Sequence, residues 1–209
     1  ATPYLMNELA KRWLDDLRNE QPFFYYLHYN EPHRPYYPPL SYLDRYTDGL
    51  SMGTQEAAET AMYVHENLYE IVANGYSLTD EEEAAMVAMY DAEIAYTDEM
   101  IGQLFDHIQS MDIEDTVVIV SADHGELLGE HSLLAHQIVL DDSLTHVPMV
   151  VHGFDEISDQ SNELVQHHDA MATLIAQAGV NTSQFQGVDL RDEAREYEIA
   201  PRGPEAYEM

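Results

Sequence analysis

Apolar positions along this chain follow two patterns, stripes with helical spacing and short uninterrupted runs. A stripe at steps of four predicts a helix over residues 4–19, with Trp13 on its apolar face. A second helix is predicted at about residues 54–73. The clearest helix follows Thr79, which has the sequence context of an N-cap, and the apolar stripe over residues 87–108 is assigned to the core.

Three uninterrupted apolar runs predict buried strands. They are the aromatic segment 23–29, the β-branched segment 116–122 and the segment 147–152. A last helix is predicted to begin near Asp169 and to end at Gly179. Helices that alternate with buried strands predict an α/β fold with a largely parallel β-sheet flanked by helices.

The chain is expected to form a single domain over residues 1–209, with an acidic tail at 191–209. Forty acidic residues against eight basic ones give a formal net charge of -32, and Lys11 is the only lysine. Such an excess excludes general binding to nucleic acid or to an anionic membrane surface, because both need basic patches. With 45% hydrophobic residues the chain is not expected to be disordered. This acidic surface suggests a halophilic source, a hypothesis that unfolding at low salt would support.

Cysteine is absent, so the chain has neither a disulfide nor a cysteine nucleophile. No run of about 18 apolar residues occurs, and no basic-then-apolar leader opens the chain. Neither a membrane span nor a signal peptide is therefore expected, and a cytoplasmic location is favoured. Because the first residue is Ala1 and not methionine, the chain is either processed or part of a longer protein, and both readings stay open.

Candidate chemistry lies where the apolar runs end. Asp123 and His124 follow the second run, and ligands of open α/β sheets bind beyond the carboxyl ends of strands. A carboxylate oxygen and an imidazole nitrogen are both metal ligands, so the pair predicts a divalent metal site. The alternative is that they only end a strand in a polar turn. His33 lies between two prolines past the first run, and His131 and His136 follow later; neighbouring strands would bring these loops to one sheet edge.

The segment 121–131 resembles the late metal-binding motif of the sulfatases, in the alkaline phosphatase superfamily. The segments 28–39, 142–151 and 168–179 are similar to the family's histidine loop, next strand and late helix, in the family's order. The resemblance covers most of residues 4–190 and implies an alkaline-phosphatase-like fold that is incomplete at its N-terminal side. It also implies a sulfuric ester hydrolase that acts, with a metal ion, on a small-molecule or carbohydrate sulfate ester.

The resemblance assigns roles to individual residues. Asp123 and His124 match metal ligands. Calcium is usual in sulfatases, but a nitrogen ligand keeps magnesium, manganese and zinc open as well. His33 matches the histidine that contacts the sulfate and protonates the leaving oxygen, and His136 takes the place of a sulfate-binding lysine.

The chain also departs from the family's pattern. It has no cysteine, and no serine begins the Cys/Ser-x-Pro-x-Arg motif that carries the formylglycine nucleophile. That nucleophile and the paired aspartates of the metal site are expected in a missing N-terminal part, so the chain is predicted to be inactive alone. The alternatives are a phosphoester or phosphonate hydrolase or a phosphoryl transferase of the same superfamily, and a non-catalytic truncated domain. Which ester is cleaved and the oligomeric state stay open.

Overall fold

The computed structural model describes residues 2–20, 22–75, 77–111, 113, 115–136, 139–155, 157 and 164–191. Except for Arg191, the acidic tail predicted at 191–209 lies outside the described residues. The chain divides into two compact units. The first consists of Ala1–Glu114 and Glu126–Gln137, and the second of Asp115–Gly125 and Ile138–Met209.

The first unit contains the long helices, and the second contains the longer strands. The helices are α1 (Pro3–Leu17), α2 (Leu40–Thr47), α3 (Thr54–Asn74), α4 (Asp80–Ser110), α5 (Asp142–Thr145) and α6 (His167–Gln177). The strands are β1 (Val118–Ser121), β2 (Leu127–Leu128), β3 (Leu134–Ala135) and β4 (Met149–His152). The helices predicted at 4–19 and 54–73 and after Thr79 are thereby confirmed.

Local sequence fixes the ends of the two longest helices. At the start of α4, Thr79 and Glu82 form the predicted reciprocal cap, in which the Thr79 N–H donates to the Glu82 carboxylate at 2.8 Å. Gly75 ends α3 with a φ of 64°, a left-handed conformation that glycine adopts without strain. These caps satisfy backbone groups that the helix itself leaves without partners.

The core of the first unit is formed where α2 and α3 pack against α4. Met89 of α4 is fully buried there, together with Val64 and Leu68 of α3. α1 contacts α4 through a polar side chain, because the buried Asn7 donates from Nδ2 to the Met100 carbonyl at 2.6 Å. A buried amide is stabilised only when its hydrogen bonds are made, so this contact also fixes the orientation of α1.

The buried faces of α1 and α4 differ from the prediction. Trp13, placed on the apolar face of α1, is 53% exposed, while Leu14 is buried. In α4, Val87 is 43% exposed, and the buried face carries small residues and methionine, such as Ala92 and Met89. Small side chains let two helix backbones approach closely, so the largest apolar residues do not mark the contact face here.

The strand pairs of the described residues are both antiparallel, whereas the sequence predicts a largely parallel sheet. β1 pairs with β4 in the second unit, with Ile119 opposite Val151, and β2 pairs with β3 in the first. Parallel neighbours need a long crossover, usually a helix, and the only α-helix between β1 and β4 in the described residues is the four-residue α5. Residues 23–29, predicted as a strand, have no regular secondary structure and belong to neither of these pairs.

In the second unit, α6 is held by a buried carboxylate. Asp169 is fully buried, and its two oxygens accept from the Gln166 N–H at 2.8 Å and the Val188 N–H at 2.9 Å. The cap at Gln166 starts the helix at His167, close to the predicted start at Asp169. None of the described helices combines the length and apolar character that crossing a bilayer requires.

Candidate functional site

His33 lies in the proline-rich loop that joins residues 23–29 to α2, and two helices hold this loop. The N–H of Tyr37 donates to Oε1 of Glu93 in α4 at 2.6 Å. Nη1 of Arg34 donates to Nδ1 of His65 in α3 at 3.4 Å. The Nδ1–H of His33 donates to the carbonyl of Arg34 at 2.6 Å, which fixes the ring and leaves Nε2 on its other side.

The buried carboxyl of Glu93 is the anchor of this loop on α4. Glu93 is 4% exposed, and burial raises its pKa from 4.5 to about 7, with a smaller contribution from the charge of Glu31. The hydrogen bond from Tyr37 acts in the opposite direction and lowers the pKa. Sequence analysis missed Glu93, since a single glutamate within a long helix is ordinarily exposed and nothing local marks this one as buried.

His136 comes to His33 from a distant part of the chain. Their ring centroids are 5.2 Å apart at an interplanar angle of 58°. The structure therefore brings together two of the four predicted site residues within the first unit.

A buried glutamate holds His136. Glu126 is 8% exposed, and its Oε1 accepts from the Nδ1–H of His136 at 3.0 Å. Its Oε2 accepts from the hydroxyl of Tyr36 at 3.1 Å. Burial, and next the charge of Glu126, raise the pKa of Tyr36 well above its ordinary value, so the phenol stays a donor. Sequence analysis did not select Glu126, although it directly follows the Asp123-His124-Gly125 segment.

Asp123 and His124 lie in the second unit, just after β1. Oδ2 of Asp123 and Nε2 of His124 are 3.9 Å apart, and the two side chains are 72% and 37% exposed. The His124 Nδ1–H donates to the carbonyl of Gly125 at 2.7 Å. Nε2 of the same ring lies on the side of the Asp123 carboxylate.

The backbone of Gly125 fixes this segment against α5. Its N–H donates to the carbonyl of Leu144 at 2.8 Å. A Cβ at this position would lie 1.9 Å from the carbonyl oxygen of Ser143, which no side chain tolerates. Glycine is therefore required for close backbone packing.

A histidine on α6 holds the residues that precede Asp123. The Nε2–H of His167 donates to the carbonyl of Ala122 at 2.7 Å and lies 3.2 Å from the hydroxyl of Ser121. That hydroxyl donates to the carbonyl of Pro148 at the start of β4. The end of β1 is thus tied to both β4 and α6 of the second unit, a long-range arrangement that the sequence alone does not reveal.

The donor atoms of Asp123 and His124 fit a divalent cation as part of its coordination shell. A metal-bound histidine ordinarily donates its other ring N–H to a carbonyl or carboxylate, as His124 does to Gly125. A hard oxygen and an imidazole nitrogen suit magnesium, manganese or zinc as well as calcium. Across the described residues, no three His, Cys, Asp or Glu side chains are grouped closely enough to hold a metal. The pair can supply two ligands and not a complete shell.

His131 does not belong to either group. It lies in a 3₁₀ turn, over Glu130–Ser132, with a positive φ of 56° and an exposed side chain. The four residues of the predicted site thus occur as two pairs: His33 with His136 in the first unit and Asp123 with His124 in the second.

Comparisons with known proteins agree on one family. The family described as Sulfatase matches residues 2–180. The Uncharacterized sulfatase YidJ of Escherichia coli (strain K12) is 26% identical over 169 residues, which cover 80% of this chain and 34% of that protein. Choline-sulfatase of Rhizobium meliloti (strain 1021) is 24% identical over 144 residues, covering 66% of this chain and 28% of that protein. The chain thus spans about a third of the length of these relatives.

A solved structure supports the predicted fold. The structure of BT4656 in complex with its substrate D-glucosamine-2-N,6-O-disulfate has a TM-score of 0.65 at 15% sequence identity. The match covers 91% of this chain and 51% of that chain. It confirms the predicted α/β, alkaline-phosphatase-like fold.

Proposed function

Because the match over residues 2–180 places this chain in the sulfatase family, we propose that it forms part of a sulfuric ester hydrolase. Asp123 and His124 bind a divalent cation, and His33 and His136 contact the sulfate group of the ester. The two relatives and the solved structure support the class of reaction, since choline-sulfatase and the complex with a disulfated glucosamine both concern sulfate esters.

The observation that carries the proposal is the imidazole pair of the first unit. His33 and His136 are separated by about a hundred residues in the chain, yet their ring centroids lie 5.2 Å apart. The Nδ1–H of each ring is already bound, by the Arg34 carbonyl and by Glu126, so each ring donates to an anionic oxygen through Nε2, in its doubly protonated form. Histidine can also release a proton near neutral pH, so His33 is the candidate for protonating the leaving oxygen.

Asp123 and His124 supply the cation site of the proposal. When bound, the cation acts as a Lewis acid that withdraws charge from an ester oxygen. The residues themselves contribute one carboxylate oxygen and one ring nitrogen, and the hydrogen bond from His124 Nδ1 to Gly125 leaves Nε2 as the ring nitrogen that can face a metal. Calcium is the first candidate, followed by magnesium, manganese and zinc.

The substrate is proposed to be a small-molecule or carbohydrate sulfate ester. With a net charge of -32 the chain repels anions at long range, so affinity must come from short-range contacts. No serine of this chain begins the Ser-x-Pro-x-Arg sequence, and cysteine is absent. We therefore expect the chain alone to bind the ester without cleaving it.

Equilibrium binding of p-nitrophenyl sulfate tests this function. In the presence of calcium, the chain is expected to bind the ester without releasing nitrophenol. His136→Ala should weaken binding about tenfold, since it removes a charge-assisted hydrogen bond. His28→Ala, at an exposed histidine that stacks on Tyr26, is the matched control and should not change the affinity.

Two outcomes would overturn the proposal. Tighter binding of p-nitrophenyl phosphate than of the sulfate would favour a phosphoester hydrolase or phosphoryl transferase of the same superfamily. No binding of either ester at about 10 mM would favour a non-catalytic domain, because the KM values of enzymes ordinarily lie below that concentration.

A further inference from the structure

Glu126 is a buried carboxylate to which none of the roles above is assigned. It belongs to the first unit, is 8% exposed, and each of its oxygens accepts from a side chain. A buried carboxylate is costly unless it is well paired, and here the partners are an imidazole and a phenol and not an arginine or lysine. The two partners therefore indicate which side chains the Glu126 carboxylate positions.

Tyr36 holds Glu126 in place. Tyr36 is 2% exposed, and its ring packs edge-on against Tyr90 of α4 with centroids 5.4 Å apart. Its hydroxyl donates to Oε2 at 3.1 Å, so one end of the carboxylate is fixed to the core of the unit. The other oxygen, Oε1, is thereby presented to His136 from a rigid base.

The hydrogen bond to the Glu126 carboxylate determines which nitrogen of His136 carries a hydrogen. A carboxylate accepts and cannot donate, so the 3.0 Å contact requires a proton on Nδ1 of His136. Nε2 then lies on the opposite side of the ring from Glu126. The ring of His136, next to that of His33, is therefore fixed in both orientation and tautomer by Glu126.

We propose that Glu126 is a positioning residue that binds Nδ1–H of His136 and so leaves Nε2 to face the anionic group of the ester, to which Nε2 donates once the ring takes up a second proton from solvent. Tyr36 supports it by holding the second carboxylate oxygen. The inference rests on the proposed contact of His136 with the sulfate, but the assignment of the tautomer stands on the hydrogen bonds alone.

Long-range ¹H–¹⁵N spectra of the histidine side chains test the positioning role. At about pH 8, where a free imidazole is neutral, wild-type His136 should carry a proton on Nδ1. In Glu126→Ala this preference should disappear, and the two tautomers should mix. Glu126→Gln keeps an oxygen that can accept from Nδ1 and should restore most of the preference. Glu70→Gln, at an exposed position of α3, is the control and should leave His136 unchanged.

Binding of inorganic sulfate is the second readout. Glu126→Ala should weaken sulfate binding about tenfold, with Glu126→Gln in between. The inference is overturned if Nδ1 of wild-type His136 carries no proton, a result that needs no variant to fold. It is also overturned if Glu126→Ala weakens sulfate binding no more than Glu70→Gln does. Should wild type not bind sulfate at all, the proposed function fails, and the tautomer still decides the role of Glu126.

Discussion

The two units hold their candidate residues by different physical means. In the first unit, side chains hold side chains: the buried Glu126 accepts from His136 and from Tyr36. In the second unit the contacts are made to the backbone: the N–H of Gly125 donates to the Leu144 carbonyl and the His167 side chain donates to the Ala122 carbonyl, while the side chains of Asp123 and His124 are 72% and 37% exposed. A network of buried charge is sensitive to protonation and to the loss of one partner. A close backbone contact is sensitive to added volume.

Added volume in the second unit should have the largest effect. Gly125→Ala places a Cβ where the Ser143 carbonyl oxygen lies, so the backbone must move. We expect the free energy of unfolding to fall by roughly 3 kcal/mol or more, the range of severe steric strain. Urea unfolding followed by circular dichroism measures the change.

Gly102→Ala is the control for that substitution. Gly102 lies within α4, and a Cβ there meets no atom within 4 Å. Alanine should therefore stabilise the chain by about 0.5–1 kcal/mol through helix propensity. Equal effects of the two alanines would contradict the claim that backbone packing positions the second pair.

Ionisation of the buried Glu93 in the first unit should have the next largest effect on the free energy of unfolding. Burial raises the pKa of Glu93 from 4.5 to about 7 in the folded state. Below about pH 4.5 the carboxyl is protonated in both the folded and the unfolded state. As the pH rises from there to about 7, the unfolded chain releases the proton first, so stability falls. Glu93→Gln should remove this fall and be more stable than wild type by about 2–3 kcal/mol at pH 8.

Urea titrations of the Glu93→Gln variant and of wild type from pH 4.5 to 8 give the difference between their free energies of unfolding. This difference isolates the contribution of the Glu93 carboxyl from those of other groups. The difference should grow with pH up to about pH 7 and then level off. Glu70→Gln, on the exposed surface of α3, should give a difference that stays within about 0.5 kcal/mol. A constant difference for Glu93→Gln would show that the carboxyl is not buried as the structure has it.

The contrast between the units also explains what the sequence could predict. Asp123 and His124 are consecutive and directly follow an apolar run, so local sequence was enough to identify this segment, whereas the packing of Gly125 against Ser143 was not visible in it. The helices α3 and α4 were predictable because their period and the Thr79 cap are local too.

Long-range partners were not predictable. Glu126 accepts a hydrogen bond from Tyr36, which is 90 residues away in the chain, and no feature of the sequence around either residue predicts that contact. Glu93 and Asn7 are buried polar residues in helices, which amphipathic periodicity assigns to the surface. The antiparallel direction of the described strand pairs was not predictable for a similar reason, since apolar runs indicate buried strands but do not specify their neighbours.

The central claim is that one pair binds a cation and the other binds sulfate, and histidine-resolved ¹H–¹⁵N spectra test it directly. Calcium, or failing that magnesium, manganese or zinc, should shift the signals of His124, and Asp123→Asn should weaken that response. Inorganic sulfate should then shift His33 and His136, while the exposed His28 stays unchanged. The account is contradicted if no cation moves His124 at about 10 mM, well above weak calcium sites, or if sulfate shifts neither His33 nor His136 more than His28.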